Sequence, residues 1–572
     1  MNLPNIWGQG ALFAFSALDG VCTPKMSLVG NLLGDKLGVE FRQPEKFSFY
    51  FTFLNLLSID FDVVASDIIK ANILEDDTTT SSLDIVFVTQ SAILMRYPKT
   101  ASFHIAFETN VKEYKTDYLK VYTIPNGTVT VLSKDSEDYT YTVLSCSKQS
   151  EKEAKSIIEL DIDREISKKM SFFEKLPMVS LDNPDTERLL YKCFSVMKAS
   201  YMSGGGLYTG IWSAASRTHS ENSDYADWAL SSLAGRYLNE EKAIECLNTI
   251  VDLQEDSGRI LKNDTYGRTK SSLHYPVIAW MALETYRTTR NIEFLSNIYD
   301  KLKKYMQWIL SNKDYNEEFL FSWNADANGN FINIDECDMK FSPRLEDNSP
   351  IEALDFTSLM AKEALSMCEI AKIIGRQGEF LYWDVVYDRI KKSLNSKLFD
   401  EEDNFFYDRF TSGGSFKKVK TIAAFMPSFA GVCDQKTLKA LSTRLFDEEG
   451  EFVCPAGIPS MPVTDDKFEN DMWYGAMFPM YNYFALMGMH EAGLKKPCEA
   501  LKEKILSTIT GWYKNDGVIY ECYDAFDSIS PSRLSKNRYN IVPESFYSEL
   551  KVTKDDFHTA CAVIALIMSE IK

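Results

Sequence analysis

The sequence has no surplus of basic residues, no closely spaced cysteine pair and no long apolar run, and each absence removes a class of function. Its 62 basic residues stand against 82 acidic ones, a formal net charge of -20 at pH 7. A polyanion is held by a basic surface that releases counterions, so no nucleic-acid partner is expected. Anionic lipid is disfavoured for the same reason, whereas neutral substrates suit such a surface. The 11 cysteines are odd in number, scattered and without a CxxC pair, which fits thiols in a reducing cytoplasm rather than a disulfide framework or a zinc site. No stretch approaches the roughly 18 apolar residues that would mark a membrane span. The start, MNLPNIWGQGALFAF, lacks a basic n-region, so no signal peptide is expected. Asn126-Gly127-Thr128, formally a glycosylation sequon, reads in a cytoplasmic chain as a hairpin turn.

What is present divides the chain in two. From about residue 46 to 165, runs such as KFSFYFTFLNLL, LDIVFVT, ASFHIAFET, YTYTVLS and IIELDID are short, aromatic or β-branched, and bounded by turn residues. Regular spacing of such runs predicts an antiparallel β-sandwich. The segment around 175–187 reads as a linker. Beyond it the period becomes helical: in NIEFLSNIYDKLKKYMQWIL, Phe294/Leu295, Ile298, Leu302, Tyr305/Met306 and Ile309 share one face. Helices are expected to start near residues 185, 224, 241, 274, 293, 352, 378, 418, 434, 474, 496 and 556. With no fixed repeat period, a solenoid is disfavoured, and the fold expected is a mostly α chain: residues 1–175 a β-sandwich, residues 176–572 an (α/α)6 barrel. The apolar GQGALFAFSALDG segment is expected to lie ordered against a domain face. Long loops at 255–272, 313–350, 447–473 and 514–555 are expected to carry function.

The second loop ends in Glu346-Asp347-Asn348-Ser349-Pro350. Asp347 or Ser349 could cap a helix beginning near Ile351, with Pro350 near its first position; the alternative is that Asp347 is a proton donor. In the fourth loop, VIYECY places Glu521 on the face opposite Tyr520 and Cys522 if the segment is extended. Two carboxylates from separate loops at one mouth can form the acid/base pair of glycoside hydrolysis, one protonating the leaving oxygen while the other activates water. Trp473, Tyr474 and Phe478 precede a helix entered through Pro479; they, and Tyr483, are either sugar-stacking or core residues. Asp224 or Asp227 begins a helix and either complements its dipole or holds sugar hydroxyls. Of the five histidines, His490 lies within a helix, while His274 and His558 fall at helix starts. Asp335, Glu336 and Asp338 lack the spacing of an EF-hand loop, and no metal or cofactor is expected.

Taken in order, SSLHYPVIAWMALETYRTTRNIEFLSNIYDKLKKYMQWIL, LEDNSPIEALDFTSLM, WYGAMFPMYNYFAL and YECYD resemble the barrel domains of glycoside hydrolase family 63 and its relatives, including mannosylglycerate and glucosylglycerate hydrolases. The set is also similar to the family 37 trehalases of the same clan. The resemblance covers roughly residues 185–571 and implies an inverting α-glycosidase acting on a small glucoside or mannoside, with Asp347 as general acid and Glu521 as general base. It further implies substrate contacts from Asp224, Trp473, Tyr474, Tyr523 and Asn348. The sequence departs from the family where Tyr474 replaces Arg, Phe478 replaces Trp, Ser223 replaces Trp, and SPRLE replaces an E-S-G-type segment. A glycerate aglycone would need a cation, for which Arg217, Lys270 and Arg344 are candidates. The alternatives are a barrel phosphorylase, lyase or epimerase, and a non-catalytic carbohydrate-binding protein.

Overall fold

The protein is seen in a computed structural model that describes residues 1–75, 80–108, 110–125, 127–177, 183–214, 217, 226–263, 269–273, 276–323, 325, 339, 342–447, 449–535 and 551–571. The strands, in chain order, are β1 (Leu12–Ala14), β2 (Val29–Leu32), β3 (Leu37–Gln43), β4 (Phe47–Phe53), β5 (Ser58–Val64), β6 (Ile68–Leu74), β7 (Thr80–Thr89), β8 (Ala92–Pro98), β9 (Ala101–Phe107), β10 (Lys112–Lys115), β11 (Leu119–Ile124), β12 (Gly127–Asp135) and β13 (Tyr139–Ser147). They form two antiparallel sheets, ordered β1-β2-β3-β4-β9 and β10-β11-β12-β13-β8-β7-β6-β5. The alternation in FSFYF puts Phe47, Phe49 and Phe51 on one buried face of β4, as a two-residue period requires. Rings join the two sheets: Phe51 lies 5.0 Å from Tyr97, Phe13 4.8 Å from Phe87 and Phe107 4.8 Å from Tyr122.

IIELDID is not a strand. It spans the end of α1 (Ser150–Ile157) and the start of α2 (Ile162–Glu174). The physical reason is local: Asp161 accepts the Asp163 amide at 3.0 Å as an N-cap, and Asp163 and Glu165 fill the first turn. Both helices lie on the larger sheet.

The helical part follows as α3 (Pro184–Ser200), α4 (Ala226–Gly235), α5 (Glu240–Asp252), α6 (Ile278–Thr289), α7 (Ile292–Asn312), α8 (Leu354–Ile373), α9 (Gln377–Ser393), α10 (Met426–Phe429), α11 (Gln435–Phe446), α12 (Pro479–Glu491), α13 (Lys495–Asp516) and α14 (His558–Glu570). The even-numbered helices from α4 to α14 form a ring: α4 packs on α6, α6 on α8, α8 on α10, α10 on α12, α12 on α14, and α14 returns to α4. The odd-numbered α3, α5, α7, α9 and α13 pack outside it. Most starts agree with the periodicity to within about two residues, but those expected near 274 and 474 come at Ile278 and Pro479, and near 418 residues 416–417 form a strand, a 3-10 turn runs Ile422–Phe425, and only the short α10 follows. Among the described residues, no helix is long and apolar enough to cross a membrane.

Links from ring helix to outer helix are short, as at Gly235 to Glu240 or Ile373 to Gln377, which makes each pair antiparallel. The ring helices therefore run in one direction, and the described parts of the long links that lead into them, among them 201–214, 253–263, 342–353, 394–425, 449–478 and 551–557, lie at their N-terminal ends. That end is the barrel mouth, where the helix dipoles present partial positive charge. Within the wall, Glu363 of α8 accepts the Ala279 and Trp280 amides at 2.9 and 2.7 Å, closing the start of α6. Burial raises its carboxyl to about 7 against the opposing pull of those amides.

The N-terminal segment is ordered between the two halves. Ala17 N donates to Tyr201 O at 2.9 Å, and Ser203 N to Cys22 O at 2.7 Å. Asp67, in the turn between β5 and β6, and Asp19 both pair with buried Lys198 of α3, at 2.7 and 2.8 Å. Burial opposes the charge on Asp67, but Lys198 and Lys169 outweigh it and hold the carboxyl well below the usual range.

Candidate active site

Three of the long links meet at one edge of the mouth. In the link before α8, Pro343–Leu345 forms a 3-10 turn leading directly into Glu346 and Asp347. Glu346 Oε1 accepts a 2.6 Å hydrogen bond from the Tyr474 hydroxyl in the link before α12, and Lys467 from that same link pairs with Oε2. Met477, three residues on, exchanges both backbone hydrogen bonds with Tyr523, at 2.8 and 2.9 Å. Tyr523 is two residues from Glu521. The segments EDNSP, WYGAM and YECYD thus form one continuous strip.

Asp347 presents a half-exposed side chain, 51% accessible. Its Oδ1 accepts the Ser349 amide at 3.0 Å and an ion pair from Lys417, itself nearly buried. Asn348 between them takes a left-handed φ of 52°, a conformation Asn tolerates better than most residues. Partial burial alone would raise the Asp347 carboxyl, but the Lys417 ammonium and the Ser349 amide prevail and hold it below the usual carboxylate range.

Neither Asp347 nor Ser349 caps a helix. Residues Ile351–Glu352 pair with a short strand instead, and α8 begins at Leu354 after an Ala353 that makes no side-chain cap. The cap comes from a distant residue, since Asp408 Oδ1 accepts the Leu354 amide at 2.8 Å.

Glu521 is partly exposed, while Val518, Ile519, Tyr520, Cys522 and Tyr523 around it are all fully buried, so the two-face alternation expected of the segment is not seen. Tyr523 is fully buried and its hydroxyl accepts the Tyr520 amide at 3.0 Å. Trp473 stacks on Phe478 with centroids 3.7 Å apart and planes 6° from parallel, and meets Tyr481 edge-on at 5.6 Å. One indole face is therefore covered by protein. Trp473, Tyr474, Phe478 and Tyr483 are all buried.

Below the strip lies a buried charge cluster that the sequence did not reveal. Arg344, inaccessible to solvent, donates to Asp355 Oδ1 at 3.0 Å and lies 3.2 Å from Asp408 Oδ2. Asp355 Oδ1 also accepts Trp323 Nε1 at 3.0 Å. Burial raises the Asp408 carboxyl, with Arg344 pulling the other way. Arg344 thus holds its carboxylates inside the fold, and Arg217 is likewise buried, donating to Phe15 O, Ala199 O and Ser27 Oγ at 3.0, 2.6 and 3.1 Å. Asp471, also missed, accepts the Ser535 amide at 3.0 Å, and burial raises its carboxyl. Its only sequence signal was proximity to Trp473.

Of the histidines, His558 is buried at the start of α14, where burial lowers it to about 4. His490 is exposed near the end of α12. Asp224, Asn126, His219, His274 and the run Asp335, Glu336, Asp338 lie outside the described residues, as do the side chains of Asp227 and Lys270.

Residues 222–531 match the family described as Mannosylglycerate hydrolase MGH1-like glycoside hydrolase domain. An uncharacterized protein of Borreliella burgdorferi is 25% identical over 322 residues, 53% of this chain; the chain spans only 65% of that relative's length. The crystal structure of a glycoside hydrolase family 63 mannosylglycerate hydrolase from Thermus thermophilus in complex with glucose superposes with a TM-score of 0.52 at 16% identity, over 66% of this chain and 99% of that one. A sialidase structure gives a TM-score of 0.51 at 13% identity, over 91% of this chain and 55% of that one. At such identities these structures speak to the fold, an (α/α)6 barrel with an N-terminal antiparallel sheet region.

Proposed function

The chain belongs to the Mannosylglycerate hydrolase MGH1-like glycoside hydrolase family, and from that premise we propose that it cleaves an α-linked glucoside or mannoside in a small glycoside with inversion. Asp347 protonates the departing oxygen and Glu521 activates the water. The observation that carries this reading is the strip joining the two loops through the Glu346–Tyr474 bond and the Met477–Tyr523 pairing. Two carboxylates presented from opposite ends of one strip can flank a sugar, and a separation of roughly 6.5–9.5 Å leaves room for the water that inversion requires. Asn348 and Tyr474 shape the acid side, Trp473 offers an aromatic edge, Tyr523 sets the backbone of the base, and Asp224 holds sugar hydroxyls. The division at residues 175/176 is supported by α2 ending at Glu174 and α3 starting at Pro184. A cytoplasmic location is supported by the free thiols among the described cysteines.

The test is proton NMR of a panel of α-linked disaccharides and glycosyl glycerates incubated with purified protein. The β-anomer of the released sugar should appear first; an α-anomer first would replace inversion by retention, and no release from any substrate would remove the hydrolase reading at this site.

A proton donor must hold its proton, and the Lys417 ammonium works against that. On this reading a bound sugar buries the carboxyl and draws it away from the ammonium. Lys417→Met removes the cation, so the Asp347 carboxyl rises and the basic limb of kcat/KM, which reports the acid in the free enzyme, moves to higher pH. A limb that stays fixed or moves down separates Asp347 from the proton donor.

A further inference from the structure

We infer that Asp556 is a positioning residue for the general base, and that through it the N-terminal β-sheets hold the catalytic mouth in register. The inference rests on the reading of Glu521 as base and goes beyond it. Asp556 is buried immediately before α14. Its Oδ2 accepts the Leu12 amide of β1 at 2.8 Å and pairs with Lys192 of α3 at 2.7 Å. Its Oδ1 accepts the Ile519 amide at 3.1 Å, two residues before Glu521, and Phe557 N donates back to Ile519 O at 2.7 Å. One carboxylate therefore ties β1, the outer helix α3 and the base-bearing segment together.

The neighbouring contacts repeat the pattern. Asn31 of β2 donates to Asp555 Oδ1 at 3.0 Å and to Gly10 O at 2.6 Å. The N-terminal segment presses backbone on backbone: a Cβ at Gly8 would lie 2.5 Å from Asp516 O, and one at Gly10 1.8 Å from Lys554 O. Asp516 in turn accepts Lys554 Nζ at 3.1 Å and the Tyr520 hydroxyl at 2.7 Å. Glu521 is thus spanned by two anchors, Ile519 on Asp556 and Tyr523 on Met477. A base must sit within hydrogen-bond reach of its water, and a misplacement of about 1 Å can cost on the order of 100-fold. β1 braces the first anchor through the Leu12 amide, so the β-sheets help to position the base.

The experiment uses the full chain with Asp556→Asn and Gly8→Ala, and Gly378→Ala on α9, where a Cβ meets nothing within 4 Å, as control. Gly8→Ala leaves every polar partner of Asp556 in place, so it reads the segment's position even if Asp556→Asn folds poorly. At a temperature where the variants are as folded as the parent by circular dichroism, both should lower kcat by roughly 10-fold or more, leave KM within about 2-fold, displace the acidic limb of the kcat profile, and speed amide exchange at 517–523 while α8 stays protected. The control should change neither readout. Activity that returns to the parent value once folding is matched, or exchange at 517–523 that is unchanged, overturns the inference. The exchange measurement decides it without turnover, so a parent chain inactive on every glycoside tested would sink the hydrolase reading separately.

Discussion

Glu521→Gln and Asp347→Asn are each expected to lower kcat by a factor of about 10² to 10⁴, the range for loss of a positioned general acid or base. Both substitutions keep shape and remove only the titrating group. Asp347 is half exposed and its partner Lys417 nearly buried, and Asn at 347 keeps an amide oxygen that can accept from the ammonium, so only the charge of the pair is lost. Its loss should leave the melting temperature nearly unchanged, so a large fall in turnover with an unmoved melt is the signature of a reagent rather than a support. Glu521→Gln should behave in the same way, since its neighbours Tyr520, Cys522 and Tyr523 carry the packing. The two effects differ with the leaving group. An activated aryl glycoside needs little protonation, so it should restore turnover to Asp347→Asn but not to Glu521→Gln. The adjacent acid provides the internal check: Glu346, tied to Tyr474 and Lys467, should on substitution by Gln disturb the strip more mildly. If Glu346→Gln alone abolishes turnover while Asp347→Asn retains it, the donor moves one residue upstream.

Much of this architecture is written in local sequence. Amphipathic helices such as α7 announce themselves because one face repeats every 3.6 residues, and the FSFYF strand because its phenylalanines repeat every two. The ring order then follows from alternation along the chain. Elements set by distant contacts are less visible. β1 and β2 are short segments in an apolar, glycine-rich stretch with no alternation to read, and they become strands by pairing with each other and with β3. Asp556 meets Leu12 across 544 positions, a separation no periodicity encodes. The turn at EDNSP misleads for a related reason: its residues have capping chemistry, but the cap of α8 is supplied by Asp408 from another strand. The candidate acids were legible because their motifs are short and contiguous. Tyr474 and Arg344 were legible only as candidate substrate contacts; their roles in holding the acid loop, and that of Lys417, were not, since each acts from a different link or from within the core.

Arg344 offers the second large effect. It stands where the sequence departs from the family pattern just before the acid loop, and its guanidinium is enclosed with Asp355 and Asp408. Replacing it by Met would keep most of the buried volume while leaving two carboxylates without their cation. Removing one partner from a buried ionic cluster costs about 3–5 kcal/mol, here divided between the start of α8, which Asp408 caps, and the turn that carries Asp347. The sign of the pH dependence follows from Asp408. Burial already raises its carboxyl, and Arg344 opposes that rise; without the guanidinium the folded state binds the proton still more tightly. Where the unfolded chain has released that proton and the folded variant has kept it, the folded variant is penalised, so its stability falls as pH rises above the ordinary carboxylate range. Below that range both states are protonated and the penalty disappears. Urea melts of Arg344→Met and the parent should therefore diverge toward neutral pH and converge toward the ordinary carboxylate range, about pH 4. A gap that is constant with pH would mean that Arg344 serves through its packing rather than its charge. Arg344→Lys keeps a cation but loses the planar fork that reaches both acids, and should recover part of the stability at neutral pH without restoring the turn that aims Asp347.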